Sequence, residues 1–258
     1  MVEKILKYVL LILFGFLAQL VDGGLGMGYG ISLTTLLLSI GFATALASAS
    51  VHIAEIFTSF ASGVSHFKLG NFDRKIFTYL TVSGVIGGVL GAYSAVKLQN
   101  IALIKPIISG ILLIFGFVII LKFFKKNKEE YILPRIRGLL PLGFTAGFVD
   151  AIGGGGWGPI TSPTLIAANS HPRKTIGSVN FAEFFVTLAI SITFLLTLEN
   201  IDFKIIIPII IGGIVAAPIA AFLTKKINHK VLGIGVGLFI ILLSIRTILL
   251  SLGFGFLF

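Results

Sequence analysis

The chain has 258 residues, of which 56% are hydrophobic and 12% are charged, and its formal net charge is +10. A soluble domain carries roughly 25% charged residues, so this composition excludes an ordinary soluble protein and indicates one that lies in a lipid bilayer. The Lys and Arg residues lie in short loops between apolar segments, where such residues mark the cytoplasmic face of a membrane protein. The positive net charge therefore does not indicate a nucleic-acid partner. The absence of cysteine excludes disulfides and thiolate chemistry.

The first half of the chain predicts one broken helix followed by three helices that cross the membrane. An apolar segment over residues 8–21 ends at Asp22, glycines crowd residues 23–30, and a short apolar segment follows at 31–40. Apolar segments of about 20 residues are long enough to cross a bilayer. Three such segments follow, over residues 44–66, 74–96 and 102–122.

The second half predicts the same order of elements. Its broken helix comprises residues 138–149, a glycine cluster at 153–158 and a short segment at 159–169. Three longer segments follow, at 173–197, 203–224 and 230–252. The most charged stretch, residues 122–137, predicts a cytoplasmic linker. We therefore assign residues 1–127 to repeat 1 and residues 128–258 to repeat 2 of a single transport domain.

The two halves also share residue patterns. The pattern G-F-x-A-x-x-V-D-x-x-x-G-x-G-x-G begins at Gly15 and again at Gly143, and S-V-x-x-A-E-x-F begins at Ser50 and again at Ser178. Duplicated halves with breaks in corresponding positions are typical of secondary transporters. The predicted fold is an all-α polytopic membrane protein with two homologous repeats. We expect inverted repeats, which place one binding site at the midplane, although the Lys and Arg distribution favours inverted and parallel repeats almost equally.

The glycine breaks are the predicted binding element for an anion. Unwound backbone is tolerated in a membrane only where it is buried in protein or lines a cavity. Such a break exposes N–H groups, and the helix that restarts after it presents a positive dipole end. The alternative is that the glycines only allow close helix packing. The predicted binding glycines are Gly26, Gly28, Gly30, Gly154, Gly156 and Gly158. Tyr29 and Trp157 lie between them and could wall the cavity, while Trp157 could instead be an interfacial anchor.

Four carboxylates occupy corresponding positions in the two halves. Asp22 and Asp150 precede the glycine clusters, where we favour a cap for free backbone amides over a proton or cation site. Glu55 and Glu183 lie well inside apolar helices, so they are the stronger candidates for gating or proton coupling. Neighbouring side chains could donate hydrogen bonds to an anion, namely Ser50, His52, Ser178 and Asn180. Because His52 corresponds to Asn180, we expect no symmetric metal site, and no cofactor is predicted.

The paired glycine segments, with Gly153–Gly156, Pro159 and Ala182-Glu183 in the second half, resemble the TauE/SafE sulfite exporter family, also called the toluene sulfonate uptake permease family. The resemblance covers roughly residues 8–250. It implies secondary transport of a small sulfur-containing anion such as sulfite, sulfoacetate or another organosulfonate, with export as the expected direction and protons as a possible coupling ion. Membrane localisation in a prokaryotic cell follows from it.

Three other functions are weighed against this one. Four membrane carboxylates would also suit a cation or metal transporter, and a passive anion channel would share the same pore. An intramembrane enzyme is disfavoured, because the sequence has no H-E-x-x-H motif and no convincing Ser–His pair. The substrate, the coupling ion and the oligomeric state are left open by the sequence.

Overall fold

The computed structural model describes residues 2–98, 104–122, 135–168, 170–199 and 201–223, together with scattered positions between 234 and 253. Within these residues the first repeat forms α1 (Val2–Leu25), α2 (Tyr29–Ser39), α3 (Thr44–Lys68), α4 (Arg74–Leu98) and α5 (Ile104–Lys122). The second repeat forms α6 (Ile136–Gly153), α7 (Trp157–Ala167), α8 (Pro172–Thr197) and α9 (Phe203–Leu223). Most of the predicted linker and of the last segment lies outside the described residues.

The described helices confirm an all-α polytopic membrane protein. Five of them are long and apolar enough to cross a membrane, namely the Tyr8–Leu25 part of α1 and the whole of α4, α6, α8 and α9. Helices α2 and α7 have 11 residues each, so they span only about 17 Å of a hydrocarbon core that is about 30 Å thick. Each repeat therefore contains one long helix followed by a half-length helix. The inverted orientation of the repeats stays a prediction.

The two breaks are shorter than the glycine clusters suggest. Helix α1 continues through Gly23 and Gly24 to Leu25, so the unwound backbone is limited to residues 26–28 and, in the second repeat, residues 154–156. The expectation that the first helix ends before Asp22 is therefore wrong. Each break opens with a glycine in left-handed backbone, Gly26 at φ 68° and Gly154 at φ 67°. Other residues adopt this conformation only at a cost of about 1–2 kcal/mol.

Helices of one repeat pack mainly against helices of the other. In the described chain α1 packs on α9 and α6 packs on α4, which is the same contact with the repeats exchanged. Helices α3 and α8 also correspond to each other, and they pack together at the centre. The large apolar side chains left exposed, such as Ile86 on α4, Leu196 on α8 and Ile211 on α9, provide the outer surface that lipid covers. Helices α3 and α8 each carry a stripe of buried polar side chains that faces inward, beside the two breaks. The stripe comprises Ser48, His52, Glu55, Ser59, Ser62 and His66 on α3, and Asn180, Glu183, Thr187 and Ser191 on α8.

Candidate functional site

The two breaks contact each other, as the sequence predicts. Thr34 of α2 donates a hydrogen bond to the carbonyl of Gly154, and Ser162 of α7 donates one to the carbonyl of Gly26 at 2.6 Å. Thr34 and Ser162 are separated by the repeat offset, so the same contact is made twice. Gly30 packs beside these bonds, where a Cβ atom would lie 3.0 Å from the Gly154 carbonyl oxygen. The absence of side chains here lets the two backbones approach.

Both aspartates cap the helices that restart after the breaks. The Oδ1 atom of Asp150 accepts hydrogen bonds from the N–H groups of Gly156 at 2.6 Å and of Trp157 at 3.1 Å. Asp22 accepts a hydrogen bond from the N–H of Tyr29, which is the residue corresponding to Trp157. The predicted capping contacts are therefore present in both repeats. A carboxylate at these amides is also favoured by the positive end of the helix dipole.

Glu55 reaches the first break from the middle of α3. Its carboxylate accepts a hydrogen bond from the N–H of Gly30, while its Oε2 atom has no hydrogen-bond partner among the described residues. Glu183 occupies the corresponding position on α8, and both side chains are buried. A break amide is thus in direct contact with one of the two glutamates predicted to act in coupling.

His52 connects α3 to the end of α6. Its Nε2 atom lies 3.0 Å from Oδ2 of Asp150, and its Nδ1 atom lies 2.7 Å from the backbone carbonyl of Ser48. The Ser48 hydroxyl donates to the carbonyl of Ala151 at 2.7 Å. One oxygen of Asp150 consequently binds two backbone amides, and the other faces the imidazole of His52. This is the most extensively bonded carboxylate among the described residues.

The site is strongly acidic. Asp22, Glu55, Asp150 and Glu183 are each at most 4% exposed, and they lie close enough to repel one another. Every Lys and Arg whose side chain the structure describes is exposed or half-buried. Buried charges are costly unless they are paired, so these four carboxylates need protons or a nearby cation to remain buried together.

The comparisons with known proteins decide the family. The family described as "Sulfite exporter TauE/SafE" matches residues 11–247. The chain belongs to this family. It is 42% identical over 250 residues to the "Probable membrane transporter protein YtnM" of Bacillus subtilis (strain 168), a match that covers 94% of this chain and 83% of that protein. It is 25% identical over 238 residues to the "Probable membrane transporter protein YdhB" of the same organism, covering 88% and 91% of the two chains.

No solved structure matches the chain. Membership of the TauE/SafE family, together with the apolar helices, identifies the protein as a multi-pass membrane transporter. The family and the two relatives are transporters rather than enzymes, in agreement with the sequence analysis.

Two of the predicted side-chain donors in this TauE/SafE protein, Ser178 and Asn180, bind different parts of the structure. The Ser178 hydroxyl accepts a hydrogen bond from the N–H of Asp73 at 2.7 Å and donates one to the Asp73 carbonyl at 3.1 Å. It thus binds the loop between α3 and α4. Asn180 lies on the inward stripe of α8 and donates to Ser62 at 2.9 Å, and its Oδ1 atom has no partner among the described residues. Ser50 is buried.

The two aromatic residues between the glycines are completely buried. Trp157 is 0% exposed and donates its indole N–H to the carbonyl of Val179 at 3.1 Å, which rules out the interfacial-anchor interpretation. Its ring packs against Gly84 of α4, where a Cβ atom would overlap it. Tyr29 is also 0% exposed, and its ring lies near Gly213 of α9. Both rings fill space directly behind the breaks.

Thr34 and Ser162, whose hydroxyl groups bind the breaks, were not predicted from the sequence. A signal for both was present, because they fall at corresponding positions of the repeats and each carries a β-hydroxyl. Helical spacing places Ser48 on the polar face of α3 with His52 and Glu55, but it does not indicate the partner of Ser48. The contact of Ser48 with Ala151 joins residues that are far apart in sequence, and no local pattern indicates it.

Proposed function

We propose that this TauE/SafE transporter exports a small sulfur-containing oxyanion, such as sulfite or sulfoacetate, and that the backbone amides of the two breaks hold it. The main support for this proposal is that the N–H groups of Gly156 and Trp157 both bind one carboxylate oxygen of Asp150. Sulfite and sulfonate oxygens are acceptors of the same kind as a carboxylate oxygen. Helix N-termini in general favour such anions.

The protein's own carboxylates occupy the amides that a substrate would use. Glu55 bonds to Gly30, Asp22 to Tyr29, and Asp150 to Gly156 and Trp157. A carboxylate loses most of its attraction for an N–H donor when it is protonated. We therefore propose proton coupling, in which protonation of Glu55 releases the amide of Gly30, and protonation of Glu55 or Glu183 removes a negative charge from the path of the substrate.

The remaining predicted residues act around this element in the proposal. The unwound backbone is formed around Gly26, Gly28, Gly154 and Gly156. Gly30 and Gly158 have no Cβ atom, so the backbone of the other break can approach them closely. Asn180 and Ser50 are the proposed side-chain donors. His52 could donate to the anion only through a protonated Nε2, and Ser178 could contribute only after leaving the Asp73 loop. Tyr29 and Trp157 form the apolar wall behind the amides.

The test is a flux measurement with purified protein in proteoliposomes. Isotopically labelled sulfite should move against its gradient when a proton gradient is imposed, and sulfoacetate and taurine should be assayed as competitors. Gly154→Leu, which alters the break, should abolish the flux. The matched control is Gly138→Leu in α6, because a Cβ atom at Gly138 meets no atom within 4 Å.

The outcome also separates the proposal from its rivals. Movement of a cation in the absence of any sulfur anion would favour a cation transporter. Sulfite flux that only runs down its gradient would favour a channel. Unchanged flux in Gly154→Leu would contradict the assignment of the break as the binding element.

A further inference from the structure

Three side chains near the second break bring possible metal ligands together. One ligand atom from each of His52, Glu55 and Asp150 lies within 4.8 Å of the other two, and all three side chains are buried. His52 and Glu55 are one turn apart on α3, and Asp150 comes from the last turn of α6. An imidazole nitrogen with two carboxylate oxygens is a ligand set that divalent first-row metals accept.

The hydrogen bonds of His52 determine which nitrogen faces Asp150 with a lone pair. A backbone carbonyl can only accept a hydrogen bond, so the 2.7 Å contact with the Ser48 carbonyl places a proton on Nδ1. The neutral ring then directs an unprotonated Nε2 at Oδ2 of Asp150, 3.0 Å away. Two acceptors at this distance repel unless a proton or a metal ion lies between them. Metal-bound histidines characteristically have their other ring N–H bonded to a carbonyl in this way.

The buried carboxylate of Glu55 is only partly satisfied by hydrogen bonds. Its Oε1 atom lies beside Gly30, whereas its Oε2 atom has no hydrogen-bond partner among the described residues although the side chain is 2% exposed. A buried carboxylate oxygen without a donor is costly.

We propose that His52, Glu55 and Asp150 bind one divalent transition-metal ion beside the breaks. In the octahedral geometry typical of Mn²⁺, metal bonds of about 2.1 Å place adjacent ligands about 3.0 Å apart, which is the separation of His52 Nε2 and Asp150 Oδ2. The site differs from the sequence-based expectation of no metal, which rested on the mismatch between His52 and Asn180. The mismatch instead makes the site asymmetric, with only one of the two repeats contributing an imidazole. The proposal does not depend on which anion is carried.

The test is metal binding by the purified full-length protein after treatment with a chelator. Mn²⁺ is the probe, and free Mn²⁺ is counted by its electron paramagnetic resonance signal. We expect one Mn²⁺ per chain, and we expect Zn²⁺ to displace it because Zn²⁺ binds nitrogen and oxygen ligands more tightly. His52→Asn and Glu55→Gln should each weaken binding by more than about tenfold, the lower limit reported for residues that merely support a metal ligand.

The repeat provides a matched control for these variants. Glu183 is the counterpart of Glu55 and lies outside the three-residue set. Because its charge acts on the site only from a distance, Glu183→Gln should weaken Mn²⁺ binding far less than Glu55→Gln does. Absence of Mn²⁺ and Zn²⁺ binding to the wild type at millimolar metal would overturn the proposal. Equal weakening by Glu183→Gln and Glu55→Gln would overturn it as well, because the metal would then be held by acidity alone.

Failure of the metal site can be told apart from failure of the proposed function. Sulfite flux that persists in chelator-treated proteoliposomes, together with no metal binding, would reject the metal site and leave the anion transporter intact. One bound Mn²⁺ per chain in a protein that moves no sulfur anion would reject the proposed substrate and leave the metal site intact.

Discussion

Thr34 donates its hydroxyl hydrogen bond to the carbonyl of Gly154, a residue of the other repeat. Ser162 and Gly26 form the corresponding bond in the opposite sense at 2.6 Å. Each half-length helix is thereby fastened to the break that belongs to the other repeat. The two breaks consequently form one element at the centre of the transporter. If one repeat moves relative to the other, these two hydrogen bonds must either move with it or break.

Removing the Thr34 hydroxyl should destabilise the fold. Thr34→Val keeps the shape of the side chain but leaves the buried Gly154 carbonyl without its donor, at a cost of about 1–3 kcal/mol. Thr34→Ser retains the hydroxyl and serves as the control. The free energy of unfolding in detergent, measured with a chemical denaturant, should fall for Thr34→Val and stay near the wild-type value for Thr34→Ser. Equal stability of all three proteins would show that the bond contributes nothing.

A side chain at Gly154 should be tolerated worse than one elsewhere in the same region. Gly154→Ala places a residue in left-handed backbone, at about 1–2 kcal/mol, and its Cβ atom would lie 3.0 Å from the Cα atom of Ser48 and overlap Thr34. Gly138→Ala, in open space on α6, should be neutral or slightly stabilising, since Ala favours helix by up to about 1 kcal/mol. Thermal unfolding of the two variants in detergent checks this, and a Gly154→Ala protein as stable as Gly138→Ala would contradict it.

The role of Asp150 as a cap can be separated from its charge. In Asp150→Asn the amide oxygen still accepts from Gly156 and Trp157, and its NH₂ group can donate to Nε2 of His52. In Asp150→Ala both backbone N–H groups lose their acceptor, at about 1–3 kcal/mol each. We expect Asp150→Asn to unfold near the wild-type temperature and Asp150→Ala well below it. If the two variants unfold at the same temperature, the capping bonds do not stabilise the break.

The sequence predicts the structural features that recur in both halves and those that depend only on neighbouring residues. The broken helix in each half, the long helices and the capping by Asp22 and Asp150 all follow from hydropathy, from the internal repeat and from the habit of Asp before a glycine-rich bend. The first break was placed too early, because Gly23 and Gly24 are poor helix formers. Tertiary packing overrides this preference and extends α1 to Leu25.

The identity of the side chains that meet across the two repeats could not be predicted from the sequence. His52 and Asp150 meet because α3 packs beside the end of α6, and helical periodicity specifies a face without specifying its partner. Ser178 is a different case. It precedes Asn180 by two residues, which is about 200° around a helix, so its position on another face of α8 and its contact with Asp73 could have been foreseen from spacing alone.

The two glutamates should matter for coupling more than for folding. Glu55→Gln and Glu183→Gln keep the size of each side chain but remove the group that binds and releases a proton. Wild-type sulfite flux should depend on an imposed proton gradient, whereas both variants should lose this dependence while they unfold at temperatures close to the wild type. Proteoliposome flux with and without a proton ionophore measures the difference. Full gradient dependence in both variants would assign coupling to other groups.

Binding of the sulfur anion by the amides of a break can be tested directly, because the chain has a single tryptophan. Labelling with [¹⁵N]tryptophan gives two nuclear magnetic resonance signals, the backbone N–H of Trp157 at the break and its indole N–H, which is bonded to Val179. Titration with sulfite, compared with an equal concentration of chloride, should shift the backbone signal in a saturable way and move the indole signal far less. A backbone signal that does not respond to saturating sulfite, in protein that transports sulfite, would contradict the account.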